Sequence, residues 1–269
     1  MGNPVAHSKS PLIHAAFAQQ TGQQLEYKAM LVEPGSFASS VEAFFAQGGK
    51  GLNITVPFKQ EAWELASIKS PGATLAGAVN TLLLDQHGLL QGHNTDGIGL
   101  VRDILQNHRG ILADKSILIL GAGGATRGIL LPLLQQQPKR ICIANRTVNK
   151  AVQLADIYAS YGHLEACSYQ DLDGQSFDWV INATSASLQG ELPPLPSRLL
   201  TDGAWCYDLM YGAEPTIFCR WAQQNGAVIR DGLGMLVEQA AESFWLWRGI
   251  RPTTEHVLNE LRAQVQNQK

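Results

Sequence analysis

No hydrophobic run in this chain approaches the ~20 residues that a membrane helix needs. The opening Met1-Gly2-Asn3-Pro4 has neither the charged nor the apolar region of a secretory signal. Cysteine is scarce: Cys142, Cys167, Cys206 and Cys219 form no CxxC pair and no metal-ligand spacing, which argues against a disulfide scaffold or a structural metal. An excess of one charge is missing too. The 20 Lys and Arg against 23 Asp and Glu leave a net charge of −3, so there is no electrostatic case for nucleic acid or an anionic membrane as partner. These absences leave a cytoplasmic globular protein with reduced cysteines. With 269 residues, 45% of them apolar, the chain can fill one large domain or two ordinary ones.

What is present is alternation. Strand-like and helix-like segments follow one another almost throughout, which predicts an α/β architecture with largely parallel sheets. In the first third the pattern predicts a helix over 11–20, a strand over 25–32, a helix over 36–45, a strand over 52–56 and a helix over 60–66. Strands at 79–84 and 89–93 flank Gln86-His87-Gly88, a hairpin-like turn, and a helix over 97–107 follows. Strands at 116–120, 141–144, 179–182, 205–209 and 227–229 come next, with a helix over 147–158. Two helical patterns, 235–247 and 254–266, close the chain. The division these segments suggest is a first domain over 1–96, a second over 97–232, and a C-terminal helical piece over 233–269.

Candidate chemistry starts at Lys59. Leu52, Ile54 and Val56 alternate with Asn53 and Thr55, the two-residue period of a half-buried strand. Pro57 ends that strand and releases Phe58 and Lys59 into a turn. A lysine there is held more firmly than on a free helix surface, and burial can tune its proton affinity. Taken alone it reads better as a solvated lysine opening the helix over 60–66.

Strand 116–120 runs at once into Gly121-Ala122-Gly123-Gly124-Ala125-Thr126 and a helix. Gly121 permits the tight turn, and Gly123 lets the backbone approach a pyrophosphate without a clashing Cβ. The new helix then offers free N–H groups and its dipole to the anion. Thr126 replaces the usual third Gly or Ala, so the match is imperfect; the bland alternative is a βα turn without ligand. After the next strand comes Asn145-Arg146-Thr147, with Lys150 one turn into the helix. An NAD site often carries a carboxylate there. A guanidinium instead grips a 2′-phosphate by charge-assisted hydrogen bonds, which favours NADP.

A second polar set lies elsewhere. Ser8-Lys9-Ser10-Pro11 predicts Ser10 as helix N-cap and Pro11 at the first helical position; the same geometry presents two hydroxyls to a carboxylate. In Gly92-His93-Asn94-Thr95-Asp96-Gly97, Asp96 is a candidate cap and the loop is richer than a cap requires. His93 reads as a surface histidine or as an acid/base. Asn80 and Thr81 read as turn residues or site residues.

Together these stretches resemble the shikimate dehydrogenase family. The likeness covers essentially the whole chain and is carried by GNPVAHSKSP at 2–11, GLNITVPFK at 51–59, GAVNTL at 77–82 and NTDG at 94–97. It continues through GAGGATRG at 121–128, NRT at 145–147, INATS at 181–185 and GLGMLVEQA at 232–240. The resemblance implies an N-terminal α/β substrate domain with a mainly parallel sheet, a Rossmann-like NADP-binding domain, and C-terminal helices returning to the substrate domain. It implies NADPH-dependent reduction of 3-dehydroshikimate to shikimate in aromatic amino acid biosynthesis, by a monomer or homodimer without metal. Ser8 and Ser10 would hold the substrate carboxylate. Thr55, Asn80, Asp96 and Gln239 would address its hydroxyls, Tyr211 would close the site, and Lys59 with Asp96 would move the proton. The loop Gly121, Ala122, Gly123, Gly124, Ala125 and Thr126 and the stretch Asn145, Arg146, Thr147 and Lys150 would bind NADP, with Leu209 and Gly232 near the nicotinamide.

Two departures from the family pattern stand out. Only Met1 precedes Gly2 where family members carry a short apolar strand, which suggests a trimmed or misplaced start and predicts unpaired backbone in the substrate-domain sheet. Ser187 stands where glycine is common. Two rival readings remain: an NAD-using quinate/shikimate enzyme, opposed by Asn145-Arg146-Thr147, and a non-catalytic ligand sensor, opposed by the retention of both Lys59 and Asp96.

Overall fold

The computed structural model describes residues 1–267, and two sheets organise them. The first contains β1 (Gly51–Asn53), β2 (Ile68–Lys69), β3 (Thr81–Leu84) and β4 (Leu90–His93) in the order β1-β3-β4-β2. β3 is antiparallel to β1 and to β4, while β2 lies parallel to β4. Beyond β1 the sheet continues in parallel through single hydrogen bonds. Thr55 N donates to Met1 O at 3.0 Å, Gly2 N to Met30 O at 3.3 Å and Val32 N to Gly2 O at 3.2 Å, around a Gly2–Leu31 bridge. The expected mainly parallel sheet is therefore parallel at its flanks and antiparallel at its centre. The cause is the tight turn at Asp85–Leu89, closed by Asp85 N to Leu89 O at 3.0 Å: so short a connection joins only antiparallel strands. The expected strand over 25–32 shrinks to the bridge at Leu31, and the backbone of residues 1–3, whose pairing was in question, is bonded on both sides.

Helices α1 (Ser10–Thr21), α2 (Phe37–Ala46), α3 (Lys59–Leu65) and α4 (Pro71–Ala76) belong to this lobe. Its core gathers Val32, Phe37, Val41, Leu52, Ile54, Phe58 and Leu82, with Phe37 and Phe58 stacked at 5.0 Å. Leu52 and Ile54 thus use the expected alternation, but Val56 is 67% exposed because the strand has already ended. β2 and α4 escaped the sequence reading, although the Ser70-Pro71 start is a legible signal: Ser70 accepts from Ala73 N and caps the helix.

The second sheet contains β5 (Ser116–Leu120), β6 (Arg140–Ala144), β7 (Leu164–Cys167), β8 (Phe177–Asn182), β9 (Leu200–Asp208) and β10 (Val228–Asp231). It is parallel throughout, in the order β10-β9-β8-β5-β6-β7. This is the doubly wound order, whose ligand crevice opens where the winding reverses, at the carboxyl ends of β5 and β8. Ile117, Leu118, Ile119 and Leu120 are all fully buried, as a parallel strand covered on both faces must be. α5 (Asp96–Arg102), α6 (Gly124–Leu134), α7 (Val148–Tyr158) and α8 (Ile217–Gln224) accompany it. β7, an edge strand with mostly half-buried residues, and α8 were not anticipated. The helix expected over 97–107 changes to a π turn over Asp103–Asn107.

α9 (Leu233–Arg248) and α10 (Glu255–Gln266) return to the first lobe. Val237, Ala240, Phe244, Val257 and Leu261 bury against Ile13 and Phe17 of α1. α9 also crosses α5 closely, since a Cβ at Gly99 would lie 2.7 Å from Gln239 N. A Cβ at Gly97 would lie 2.5 Å from Gly128 O of α6. Two glycines in α5 therefore bring Asp96, Gln239 and the glycine-turn helix together.

Candidate active site

Lys59 opens α3 directly, one residue earlier than expected, and its Nζ lies 2.6 Å from Asp96 Oδ2. The pair is partly shielded, with 34% of the Lys59 side chain and 14% of Asp96 exposed. Asp96 is not a cap: it is the first helical residue of α5, whose N-cap Thr95 makes no side-chain cap bond. Its other oxygen, Oδ1, accepts from Asn80 Nδ2 at 2.7 Å. Asn80 is buried; its Oδ1 accepts from Thr95 N at 3.0 Å, and its Nδ2 reaches Gln239 Oε1 at 3.4 Å. Both carboxylate oxygens of Asp96 are thus engaged, and the Asn80 amide is itself held.

These groups open onto a cavity of about 380 Å³, the size of a small-molecule site. Ser8, Ser10, Thr55, Lys59, Asn80, Asp96, Tyr211 and Gln239 all line it, together with Leu209 and Gly232. The four polar stretches named from sequence therefore meet in one place, with the end of β9 and the start of α9 facing them. Ser10 is not the helix cap it was expected to be. The N-cap is Lys9, with no side-chain cap bond, so the Ser10 hydroxyl remains for the cavity. His93 sits half-buried in β4 and does not line the cavity. Burial lowers its pKa, with Glu242 opposing.

Sequence reasoning missed Asn53 and Tyr27, both cavity-lining. The Tyr27 hydroxyl donates to Asn53 Oδ1 at 2.9 Å, and Asn53 Nδ2 donates to Ser243 Oγ at 3.0 Å. Asn53 shares the polar face of its strand with Thr55, a signal available in the sequence. Ser243, 190 residues away from Asn53, had none.

The nucleotide side is built differently. Gly121 adopts φ +99°, a region open chiefly to glycine, and a Cβ there would meet Thr184 Cγ2 at 3.0 Å. Thr126 explains the imperfect fingerprint: its hydroxyl donates to Gly121 O at 2.7 Å and ties the turn to the helix. Asn145 Oδ1 accepts from Ala122 N at 3.2 Å, and its Nδ2 donates to Thr147 O at 2.8 Å. A Cβ at Gly123 or Gly124 would meet nothing within 4 Å, and α6 starts without a side-chain cap. Arg146 and Lys150 are exposed; among the described residues neither is in an ion pair. Open glycine backbone, an uncapped helix start and two unneutralised cations fit a dinucleotide carrying an extra phosphate. Gly232 packs where a Cβ would run into Leu209 O, so Leu209 and Gly232 touch through backbone.

Ser187 stays out of the cavity lining. Its hydroxyl donates to Asp208 Oδ2 at 2.7 Å, beside Thr216 Oγ1 at 2.6 Å. Burial raises the Asp208 pKa, and these donors oppose the rise. Among the described residues no three His, Cys, Asp or Glu come together as metal ligands, and no helix is long and apolar enough to cross a membrane.

Comparison with known proteins agrees with this arrangement. Family models described as shikimate dehydrogenase substrate binding domain, shikimate / quinate 5-dehydrogenase, and shikimate 5'-dehydrogenase C-terminal domain match residues 1–82, 103–189 and 232–262. The shikimate dehydrogenase (NADP(+)) of Cellvibrio japonicus is 57% identical over 269 residues, covering 100% of this chain and 97% of its own. The structure of an Ael1 enzyme from Pseudomonas putida superposes with a TM-score of 0.92 at 48% identity, covering 97% of this chain and 96% of that one. That of a Thermus thermophilus shikimate 5-dehydrogenase in complex with NADP(H) and shikimate gives 0.86 at 30% identity, covering 98% and 97%. With three family models in chain order and a relative matched along its full length, this chain belongs to the shikimate dehydrogenase family.

Proposed function

We propose that the chain catalyses the reversible NADPH-dependent reduction of 3-dehydroshikimate to shikimate, on the route to chorismate and the aromatic amino acids. The observation that carries this is the Lys59–Asp96 pair, 2.6 Å apart in a cavity that Leu209 and Gly232 also line. Bound NADPH supplies a hydride to the ketone carbon. Gly121, Ala122, Gly123, Gly124, Ala125 and Thr126, with Asn145, Arg146, Thr147 and Lys150, hold the nucleotide, and Leu209 and Gly232 face its nicotinamide end. Ser8 and Ser10 take the substrate carboxylate. Thr55, Asn80, Asp96 and Gln239 take its hydroxyls, and Tyr211 closes over it.

Negative charge develops on the carbonyl oxygen as the hydride arrives. Lys59, as ammonium, stabilises that charge and delivers a proton from Nζ; in the reverse direction the neutral amine accepts one. Asp96 aims Nζ through its 2.6 Å contact while Asn80 holds the second carboxylate oxygen. A site lined with hydroxyl and amide groups also selects strongly, because a substrate lacking a hydroxyl leaves buried groups unpaired.

We assign residues 1–96 and 233–269 to the substrate domain and 97–232 to the cofactor domain. We place the enzyme in the cytoplasm as a monomer or homodimer without nucleic acid; its four free cysteines suit a reducing compartment. Steady-state oxidation of shikimate and quinate with NADP and NAD in parallel tests the assignment. Turnover is expected chiefly for shikimate with NADP, and well-folded protein that fails to oxidise shikimate refutes it.

A further inference from the structure

Tyr27 belongs to no helix or strand, yet its ring is tightly held. It stacks on His14 at 4.3 Å and 8°, and Trp247 lies 6.3 Å away. His14 is fully buried, and neither of its ring nitrogens has a well-formed hydrogen bond. Burial lowers its pKa to about 3, with the nearby Asn53 side chain opposing. The neutral His14 ring serves here as a flat plate against which the tyrosine is fixed.

The Tyr27 hydroxyl reaches into the polar end of the cavity. It donates to Asn53 Oδ1 at 2.9 Å, and the Ser10 hydroxyl approaches it as well. An amide side chain has one accepting and two donating positions, and its neighbours decide which way it points. With its oxygen claimed by Tyr27, Asn53 turns Nδ2 toward Asn80 O at 3.2 Å, Thr81 Oγ1 at 3.1 Å and Ser243 Oγ at 3.0 Å. One phenol oxygen therefore joins the serine stretch at the start of α1 to the asparagines at the ends of β1 and β3.

We propose that Tyr27 is a positioning residue for substrate recognition, its hydroxyl fixing Asn53 and Ser10 in the cavity wall between the polar groups that meet the substrate's hydroxyl and carboxylate ends. The proposal rests on the reading of this cavity as the shikimate site. It makes Tyr27 the residue through which the two ends of the substrate are recognised in register.

The test is Tyr27→Phe in the full-length enzyme, which keeps the ring stack and removes one oxygen. Loss of a neutral hydrogen bond worth about one kcal/mol predicts a rise in KM for shikimate of roughly fivefold, with kcat and KM for NADP changed by less than about twofold. The melting temperature controls for folding. In an Asn53→Ala background the same change is expected to add less than about twofold, because the two residues act as one unit. An unchanged KM for shikimate, equal rises in KM for shikimate and NADP, or full additivity with Asn53→Ala overturns the proposal. Unaltered enzyme that does not turn over shikimate defeats the underlying site reading, whereas normal shikimate turnover with a silent Tyr27→Phe defeats the Tyr27 inference alone.

Discussion

Around Lys59 nearly every polar side chain already has a protein partner, whereas along the glycine turn the groups that matter face open space. Asn80, Thr81, Thr95 and Ser243 are buried and bonded to one another and to Asn53, Asp96 and Gln239. Gly123, Gly124, Arg146 and Lys150 are exposed. The substrate half recognises a small polyhydroxy acid, and such discrimination comes from groups that cannot move to suit a wrong ligand. The nucleotide half grips phosphates, which need charge and backbone N–H groups more than shape. One half is thus rigid by mutual bonding and the other receptive by vacancy of side chains.

The contrast can be broken at four points. Removing the proposed proton carrier costs most: Lys59→Ala is expected to lower kcat by ~10²–10⁴ while shikimate still binds, read by steady-state kinetics beside a shikimate titration. A variant keeping most of its kcat removes Lys59 from the mechanism. Next, Arg146→Ala loses charge-assisted bonds of about 1.5–3 kcal/mol, or roughly 10- to 100-fold in KM for NADP. KM for NAD should hardly move, and equal effects on both cofactors would contradict a 2′-phosphate role. Gly123→Ala sharpens the idea of vacancy. Its φ of −94° suits any residue and its Cβ meets no protein atom within 4 Å. The melting temperature should stay put while KM for NADP rises roughly tenfold from crowding of the ligand; an unaffected KM means no phosphate passes there.

The smallest effect probes the rigid half through pH. His14 has a folded pKa of about 3 against an ordinary 6.5. Below pH 6.5 the unfolded chain takes up a proton that the folded one refuses, so stability falls as pH drops from 6.5 toward 3. At pH 5.5 this amounts to about 1.4 kcal/mol. His14→Phe should lose that slope, measured as urea midpoints at pH 7.5 and 5.5; identical slopes in both proteins would exclude His14 as its source.

Much of this was legible in the chain because the signals are local. The β5–glycine turn–α6 unit, the NRT stretch after β6 and the paired apolar patterns of α9 and α10 each depend on residues close in sequence. β2 and β7 were not, being short or half-buried with little periodic contrast, and α8 was missed although Phe218, Cys219 and Ala222 give its eight residues a buried apolar face. The Asp103–Asn107 π turn escaped because its cause is tertiary. Asp103 is fully buried, accepts from Tyr207 Oη at 2.7 Å, and occupies the space that a Cβ at Gly234 would fill. Ser10 and Asp96 looked like caps for a related reason: capping is a local rule, and only their surroundings withdrew them from it.

By itself the sequence determined the α/β class, the glycine turn and the cationic NRT stretch, since each follows from backbone periodicity or from residue chemistry at short spacing, while Thr55, Tyr211 and Gln239 entered the polar set through the family resemblance. Only the tertiary structure decided that Lys59 meets Asp96, that Asn53 and Tyr27 join the site, and that Ser243 and Gln239 come to it from α9. Those contacts close loops of 26 to 190 residues. Asp96 and Gln239 meet because α5 carries glycine where α6 and α9 press against it, an approach set by packing between helices and not by any short stretch of chain.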